Sequence, residues 1–262
     1  MDFGLQTFTV RKAQKKSIRS AYLPLIEMGI KSFEVARIDF TKKNAYELRA
    51  LIDEFGIEIT SVQVKPKYVF KSPDKIIEFC KITNCKNVVI SMLPFKCILG
   101  AEARFYSFIN SLDKQYDLYS QSGITLAYHH HNWEYVRLSN GKSRMEELLS
   151  KTERIKIVHD TYWTARCGIE PARQISEFGS RLLGIHLRDL SFRKSGLSVV
   201  PNDAAIGDGV INFERVLKAA ETVGCSYCVI EQNSPNPYKD IEKSLKSIQT
   251  IRSKIRDKES SL

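Results

Sequence analysis

Eight short β-rich runs, each followed by a stretch of helical period, fill this chain of 262 residues from end to end. The runs lie at Gly4 to Thr9, Ser32 to Ala36, Glu58 to Val64, Asn87 to Ser91, Ile124 to His129, Ile155 to Asp160, Leu182 to Leu187 and Tyr227 to Glu231. Most are near-continuous apolar stretches, the pattern of parallel strands covered on both faces. Between them apolar residues recur at helical spacing, as in Ala45, Leu48, Ile52 and Phe55 or Phe213, Val216, Leu217 and Ala220. Glycines at 29, 56, 123 and 224 stand just before the next strand, where a helix ends most cheaply in a left-handed residue. Successive βα units in this number predict an α/β fold closed into a (β/α)8 barrel.

Composition agrees with one such domain over residues 1–262: 43% hydrophobic and 10% aromatic residues are enough for one large core. No apolar run approaches the roughly 18 residues of a membrane span. Met1-Asp2-Phe3-Gly4 lacks the basic-then-apolar start of a signal peptide, so the expected location is cytoplasmic and no membrane partner is expected. The cysteines at 80, 85, 97, 167, 225 and 228 read as reduced thiols in a chain too long to need disulfide staples. Cys225 and Cys228 form a CxxC, but inside what reads as a buried strand, which argues against redox or zinc chemistry for the pair. The net charge of +10 invites a nucleic-acid partner. Lys12, Lys15, Lys16, Lys42, Lys43, Lys81 and Lys86 are instead spread along helices without interleaved aromatics, which favours a solvated basic surface helpful to anionic substrates.

Two connections exceed ordinary βα loops: residues 130–142 and residues 189–211. Ser195-Gly196 and Gly207-Asp208-Gly209 in the second could hinge a lid, or the segment could be a passive excursion. The polar tail from Lys254 to Leu262 is expected to fray.

Barrel enzymes place their chemistry where strands end on the C-terminal rim. Those positions hold Glu34, Gln63, Ser91, His129 and His131, Asp160, His186 and Glu231. Two imidazoles and two carboxylates from strands five to eight form a mixed nitrogen and oxygen set suited to one divalent ion, Mn, Mg, Co or Zn, with positions left open for a substrate. Such an ion would polarise a carbonyl or vicinal diol and stabilise the enediolate formed when a neighbouring carboxylate removes a proton. Asp160 could instead cap the next helix, and Glu231 could pair with a basic rim residue. Strand alternation turns His130 away from His129 and His131, and His159 away from Asp160, so both read as structural. Tyr162 and Trp163 are candidates for a sugar-stacking wall, and Arg11, Arg166 and Arg188 for an anionic substrate group.

Six segments together resemble the xylose-isomerase-like TIM-barrel superfamily, in particular its sugar phosphate isomerases/epimerases. They are Gly4-Leu-Gln-Thr-Phe-Thr-Val-Arg11, Gly123-Ile-Thr-Leu-Ala-Tyr-His-His-His-Asn-Trp-Glu134, Asp160-Thr-Tyr-Trp-Thr-Ala-Arg-Cys-Gly168, His186-Leu-Arg-Asp189, Ile206-Gly-Asp-Gly-Val-Ile211 and Val229-Ile-Glu-Gln232. The resemblance implies one metal held by His129, Asp160, His186 and Glu231, with Glu231 also near enough to act as base. Ketose epimerases of that superfamily carry Glu where this chain has His129, and His where it has Trp163, so their two-glutamate acid/base pair is not intact here. Glu34, His131 and Glu134 stay open as the second proton-transfer group, with Gln63, Trp163 and Arg188 as substrate contacts.

The leading expectation is a sugar isomerase or epimerase acting on a sugar or polyol. The runner-up is a keto-sugar or inosose dehydratase or lyase, since the Tyr128-His-His-His131 segment is similar in those enzymes. An endonuclease-four-type repair enzyme resembles a three-zinc site that five histidines cannot supply, and a non-catalytic sugar-binding barrel would bind no metal. Rim aromatics such as Phe95 and Tyr106 leave a homo-oligomer open.

Overall fold

A computed structural model describes residues 3–260. Ten strands run in chain order as β1 (Phe3–Gln6), β2 (Ser32–Ala36), β3 (Glu58–Val64), β4 (Asn87–Ile90), β5 (Thr125–His129), β6 (Lys156–Asp160), β7 (Leu182–Leu187), β8 (Asp189–Ser195), β9 (Ser198–Ala204) and β10 (Tyr227–Ile230). Eight of them close a barrel in the order β1-β10-β7-β6-β5-β4-β3-β2, while β8 and β9 form a separate two-stranded sheet. Each barrel pairing is parallel, and a parallel return needs a crossover, which the helices between strands supply.

Local signals set the ends of these helices. Thr41 caps the helix Lys42–Phe55 by accepting from the Asn44 N–H, and the helix stops at Gly56 with φ 64°. The helix Arg144–Lys151 starts on a reciprocal pair, Ser143 with Glu146. One face of each long helix packs on the outside of the barrel in a continuous core that includes Leu48, Leu51, Ile109, Leu112, Val216 and Ile248.

Inside the barrel a smaller apolar layer of Val89, Ala127, Val158, Leu183, Tyr227 and Val229 fills the lower half. Side chains alternate along a strand, so residues two further on, His129 after Ala127, Asp160 after Val158 and Glu231 after Val229, point inward at the upper rim. Gly184 permits this layer: a Cβ there would lie 2.3 Å from the Tyr227 ring. His186, two residues after Gly184, is the fourth member of the rim set.

The second long connection differs from expectation. Residues 189–204 are not a loop but the antiparallel hairpin β8–β9, with Asp189 opposite Ala204. Gly196 sits at its turn with φ 60°, and residues 207–211 are pinned rather than free: the Asp189 carboxylate accepts the N–H groups of Gly207, Gly209 and Ile211 at 2.9, 2.9 and 3.2 Å. The tail expected to fray from Lys254 is helical through Glu259. Met1, Asp2, Ser261 and Leu262, which entered the expectations for the two termini, lie outside the described residues. None of the six cysteines forms a disulfide among the described residues.

Candidate metal centre

His129 ends β5, Asp160 ends β6, His186 lies one residue before the end of β7, and Glu231 follows β10. Each offers one ligand atom, and these atoms lie within 4.8 Å of one another, with all four residues buried. Hydrogen bonding on the far side of each ring sets which nitrogen is bare. His129 Nδ1 faces the Ser91 carbonyl at 3.2 Å; a carbonyl only accepts, so Nδ1 carries the proton and Nε2 presents a lone pair. His186 Nε2 donates to Glu34 Oε1 at 2.6 Å, which leaves Nδ1 facing the centre. His129 Nε2, His186 Nδ1 and Glu231 Oε2 are buried without a hydrogen-bond partner. His186 Nδ1 and Glu231 Oε2 are only 2.9 Å apart, yet not aligned as a hydrogen bond.

Orphaned buried acceptors are costly, and a divalent cation satisfies lone pairs that converge in this way. Two imidazoles with two carboxylates fit a divalent ion chemically, and the Glu34–His186 contact is the outer carboxylate that typically orients a metal-bound imidazole.

The geometry of Asp160 is compatible with both of its sequence readings. Its Oδ1 accepts the Trp163 N–H at 3.0 Å and caps the following helix, while Oδ2 lies 3.5 Å from His129 Nε2. Burial alone would raise the Asp160 carboxyl, but the Arg188 guanidinium and then His129 hold it below the usual range. Glu231 is governed the same way: burial opposes ionisation, and Arg188 and His186 outweigh it to bring the group down to about 2. For His186, burial is overcome by the Glu34 and Glu231 carboxylates, which push it up to about 10, so without an ion both ring nitrogens carry protons and a cation would bind by displacing the one on Nδ1.

Glu34 is not at the mouth. It is fully buried beneath the rim, accepting from His186 at Oε1 and from Ser61 Oγ at 2.6 Å and Tyr227 OH at 2.9 Å at Oε2. Both of its oxygens are engaged inside the barrel, an arrangement that fits positioning His186 better than the acid role expected for it. Glu134 is also fully buried, tied to the Tyr128 hydroxyl and, at 2.8 Å, to the His131 N–H.

His131 is in a different situation. It lines the cavity at the mouth, its ring is 4.8 Å from that of His129, and its Nδ1 has no partner. Burial, then the His129 ring, pushes its imidazolium well down. Gln63 and Trp163 line the same cavity, and the Trp163 indole N–H is buried and unpartnered.

Arg188 lines the cavity too, but its fork is taken by three carboxylates: Asp160 at 3.2 Å, Glu231 at 3.2 Å and Asp203 at 2.8 Å. It is therefore not the free anion site expected of it. Asp203, on β9, was missed in the sequence because it lies in what reads as a polar loop. Tyr227 and Ser61, the holders of Glu34, were missed because both read as ordinary strand residues. His130 and His159 do point away, His159 Nδ1 meeting His130 Nε2 at 3.1 Å behind the centre.

Residues 24–253 match the xylose isomerase-like TIM barrel family. This chain belongs to that family. Among curated proteins it is 24% identical over 164 residues to an inosose dehydratase of Geobacillus thermodenitrificans; the match takes in 55% of this chain and 52% of the relative, so the chain spans about half the length of that relative. Among solved structures it is similar to a sugar phosphate isomerase/epimerase from Parabacteroides distasonis, with a TM-score of 0.74 and 17% identity over 92% of this chain and 91% of that one. It is also similar to the IolI protein with a binding zinc atom, with a TM-score of 0.69 and 15% identity over 97% and 99% of the two chains. At these identities the structural likeness establishes the fold. No helix among the described residues is long and apolar enough to cross a membrane.

Proposed function

We propose that this xylose isomerase-like barrel is a divalent-metal-dependent sugar isomerase or epimerase that moves a proton on the carbon beside a carbonyl of a sugar or polyol. The observation that carries the reading is the convergence of His129, Asp160, His186 and Glu231, with three of their ligand atoms buried and without hydrogen-bond partners. The zinc named for the similar IolI structure supports an ion in that position. A bound Mn, Mg, Co or Zn ion would supply Lewis acidity there, polarising the substrate carbonyl and stabilising the charge left when the neighbouring carbon loses its proton.

The chain's own groups do the rest. His131 is the acid/base group, because its imidazole faces the cavity with an unpartnered nitrogen while Glu34 and Glu134 are both engaged below. A neutral imidazole takes the proton and returns it to the adjacent carbon, which isomerises the sugar; epimerisation at the same carbon would need the proton delivered from the opposite face by a second donor or water. Glu231 is better suited to holding the ion than to acting as base, since one oxygen faces Arg188 at 3.2 Å and its carboxyl is held low. The Trp163 indole N–H offers a donor to a substrate hydroxyl, and its ring a stacking face.

The test is exchange of the α-proton. Metal-loaded protein incubated with a panel of ketoses and inososes in deuterated water should wash out the α-proton signal of at least one of them. His131→Ala should slow this by roughly 10²- to 10⁴-fold without loss of metal. No exchange across the panel, or a full rate in His131→Ala, contradicts the reading.

A second reading, dehydration of a keto-polyol, is favoured by the similarity to inosose dehydratase. It begins with the same proton abstraction and diverges when a hydroxyl leaves the next carbon before reprotonation. Loss of water from the product by mass spectrometry selects it.

A further inference from the structure

The metal centre occupies one end of a cavity of about 1310 Å³. Pockets for drug-sized ligands run roughly 300–1,000 Å³, so a single sugar ring at the centre leaves much of this volume empty. The remainder extends across the mouth to the segments that follow β2, β3 and β4. Six cations line that far side: Arg37, Lys65, Lys67, Lys71, Lys96 and Arg104. Asp39 is the sole carboxylate that lines it among the described residues; the other acids of the lining, Asp203 and Glu231, are at the metal end.

Some surface cations elsewhere are paired with acids, as in Arg19 with Glu54, Lys42 with Glu78, Arg173 with Glu177 and Lys243 with Asp208. The six at the cavity are exposed, and none makes an ion pair or a side-chain hydrogen bond among the described residues. Lys67 and Lys71 stand four apart in the helix Pro66–Lys71, a spacing that puts like charges on one face at a cost an anion would relieve. Arg37 adopts φ 60°, a left-handed conformation uncommon and costly for a long side chain. Its guanidinium lies 5.3 Å from the centroid of the Phe8 ring, which also lines the cavity.

At the other end two of the three arginines considered for anion binding are already engaged. Arg188 faces three carboxylates, and Arg11 donates to Phe8 and Asn233 at 2.9 and 2.7 Å.

We propose that the substrate is bipolar: its carbonyl end meets the metal centre, and a phosphate or carboxylate group at its remote end is held by the basic far side of the cavity around Lys67, Lys71, Lys96 and Arg104. This rests on the metal-dependent reading for the placement of the carbonyl end only. An anion drawn across the mouth in this way fixes which carbon faces His131, so the basic wall sets specificity.

Calorimetric titration with fructose 6-phosphate, fructose, fructuronate and inorganic phosphate tests it. Each probe is titrated into metal-loaded and chelator-stripped protein, for wild type and for the double variant Lys67→Glu, Lys71→Glu. Fructose 6-phosphate should bind at least about tenfold more tightly than fructose, with an advantage that shrinks as salt shortens the screening length from about 10 Å at 0.1 M. The advantage should vanish in the double variant while metal content stays at the wild-type level. A matching advantage for fructuronate assigns the wall to anions in general, and its absence assigns it to phosphate. Equal affinities for fructose and its phosphate, an advantage that survives charge reversal, or no binding of any phosphate probe would each overturn the proposal. A preference that persists in protein unable to hold metal would uphold the anion site and remove the catalytic reading alone.

Discussion

At Glu34 a single proton decides what His186 can do. A carboxylate only accepts, so it draws the His186 proton to Nε2 over 2.6 Å and leaves Nδ1 free for an ion. The neutral amide of Glu34→Gln keeps the volume but can also donate, which removes that constraint and the negative charge. Metal affinity should fall about 10- to 100-fold in that variant, the usual effect of losing an outer carboxylate, as read by competition with a chromogenic chelator. Wild-type affinity would mean that Glu34 only fills the barrel. The four candidate ligands were legible in the sequence because each breaks an apolar strand with an ionisable group at its rim end. The role of Glu34 was not, because the same signal marks it, and only the path from β2 across the barrel to Tyr227 and His186 shows that it faces inward.

At the scale of elements, the barrel strands were readable to within a few residues, because a strand covered on both faces must be apolar along its length. The hairpin β8–β9 was not readable for the complementary reason. Phe192, Leu197 and Val199 are exposed, Arg193, Lys194 and Pro201 intervene, and no face is apolar enough to leave a period-two pattern. What holds it is a polar anchor rather than a core: the Asp189 carboxylate collects the N–H groups of Leu190, Gly207, Gly209 and Ile211. A Cβ at Gly209 would lie 2.2 Å from that carboxylate, so the loop closes tightly on it. Asp189→Ala should orphan these donors, lowering stability by about 2–3 kcal/mol in urea denaturation and raising hydrogen exchange across residues 205–211. Because β9 carries Asp203 to Arg188 at 2.8 Å, the loosened hairpin should also weaken the Arg188 cluster. Unchanged stability would mean that the hairpin is held by other contacts.

For the molecule as a whole, the buried histidine pair behind the centre ties stability to pH. His130 is fully buried, its Nε2 accepting from the Asp160 N–H and facing His159, both at 3.1 Å. Burial, and next the charge of His129, lowers it to about 3. The folded value lies below the unfolded one of about 6.5, so protons bind the unfolded chain preferentially as pH falls through that window. Its contribution is complete above about pH 6.5 and is lost on acidification, by about 2 kcal/mol between pH 7 and 5 for His130 alone. Denaturation of chelator-stripped protein at the two pH values should show that loss, and His130→Asn should reduce it; an equal loss in the variant would place the sensitivity elsewhere. The central claim is that the barrel mouth holds one divalent ion between His129, Asp160, His186 and Glu231. Elemental analysis of protein purified without chelator, beside Asp160→Ala and His186→Ala, tests it most directly. The expected result is roughly one Mn, Co, Zn or Mg ion per chain in wild type, as for a site with a single four-ligand set, and its loss in both variants. No metal in wild type after soaking with Mn²⁺ and Zn²⁺, or full retention in both variants, would contradict the account.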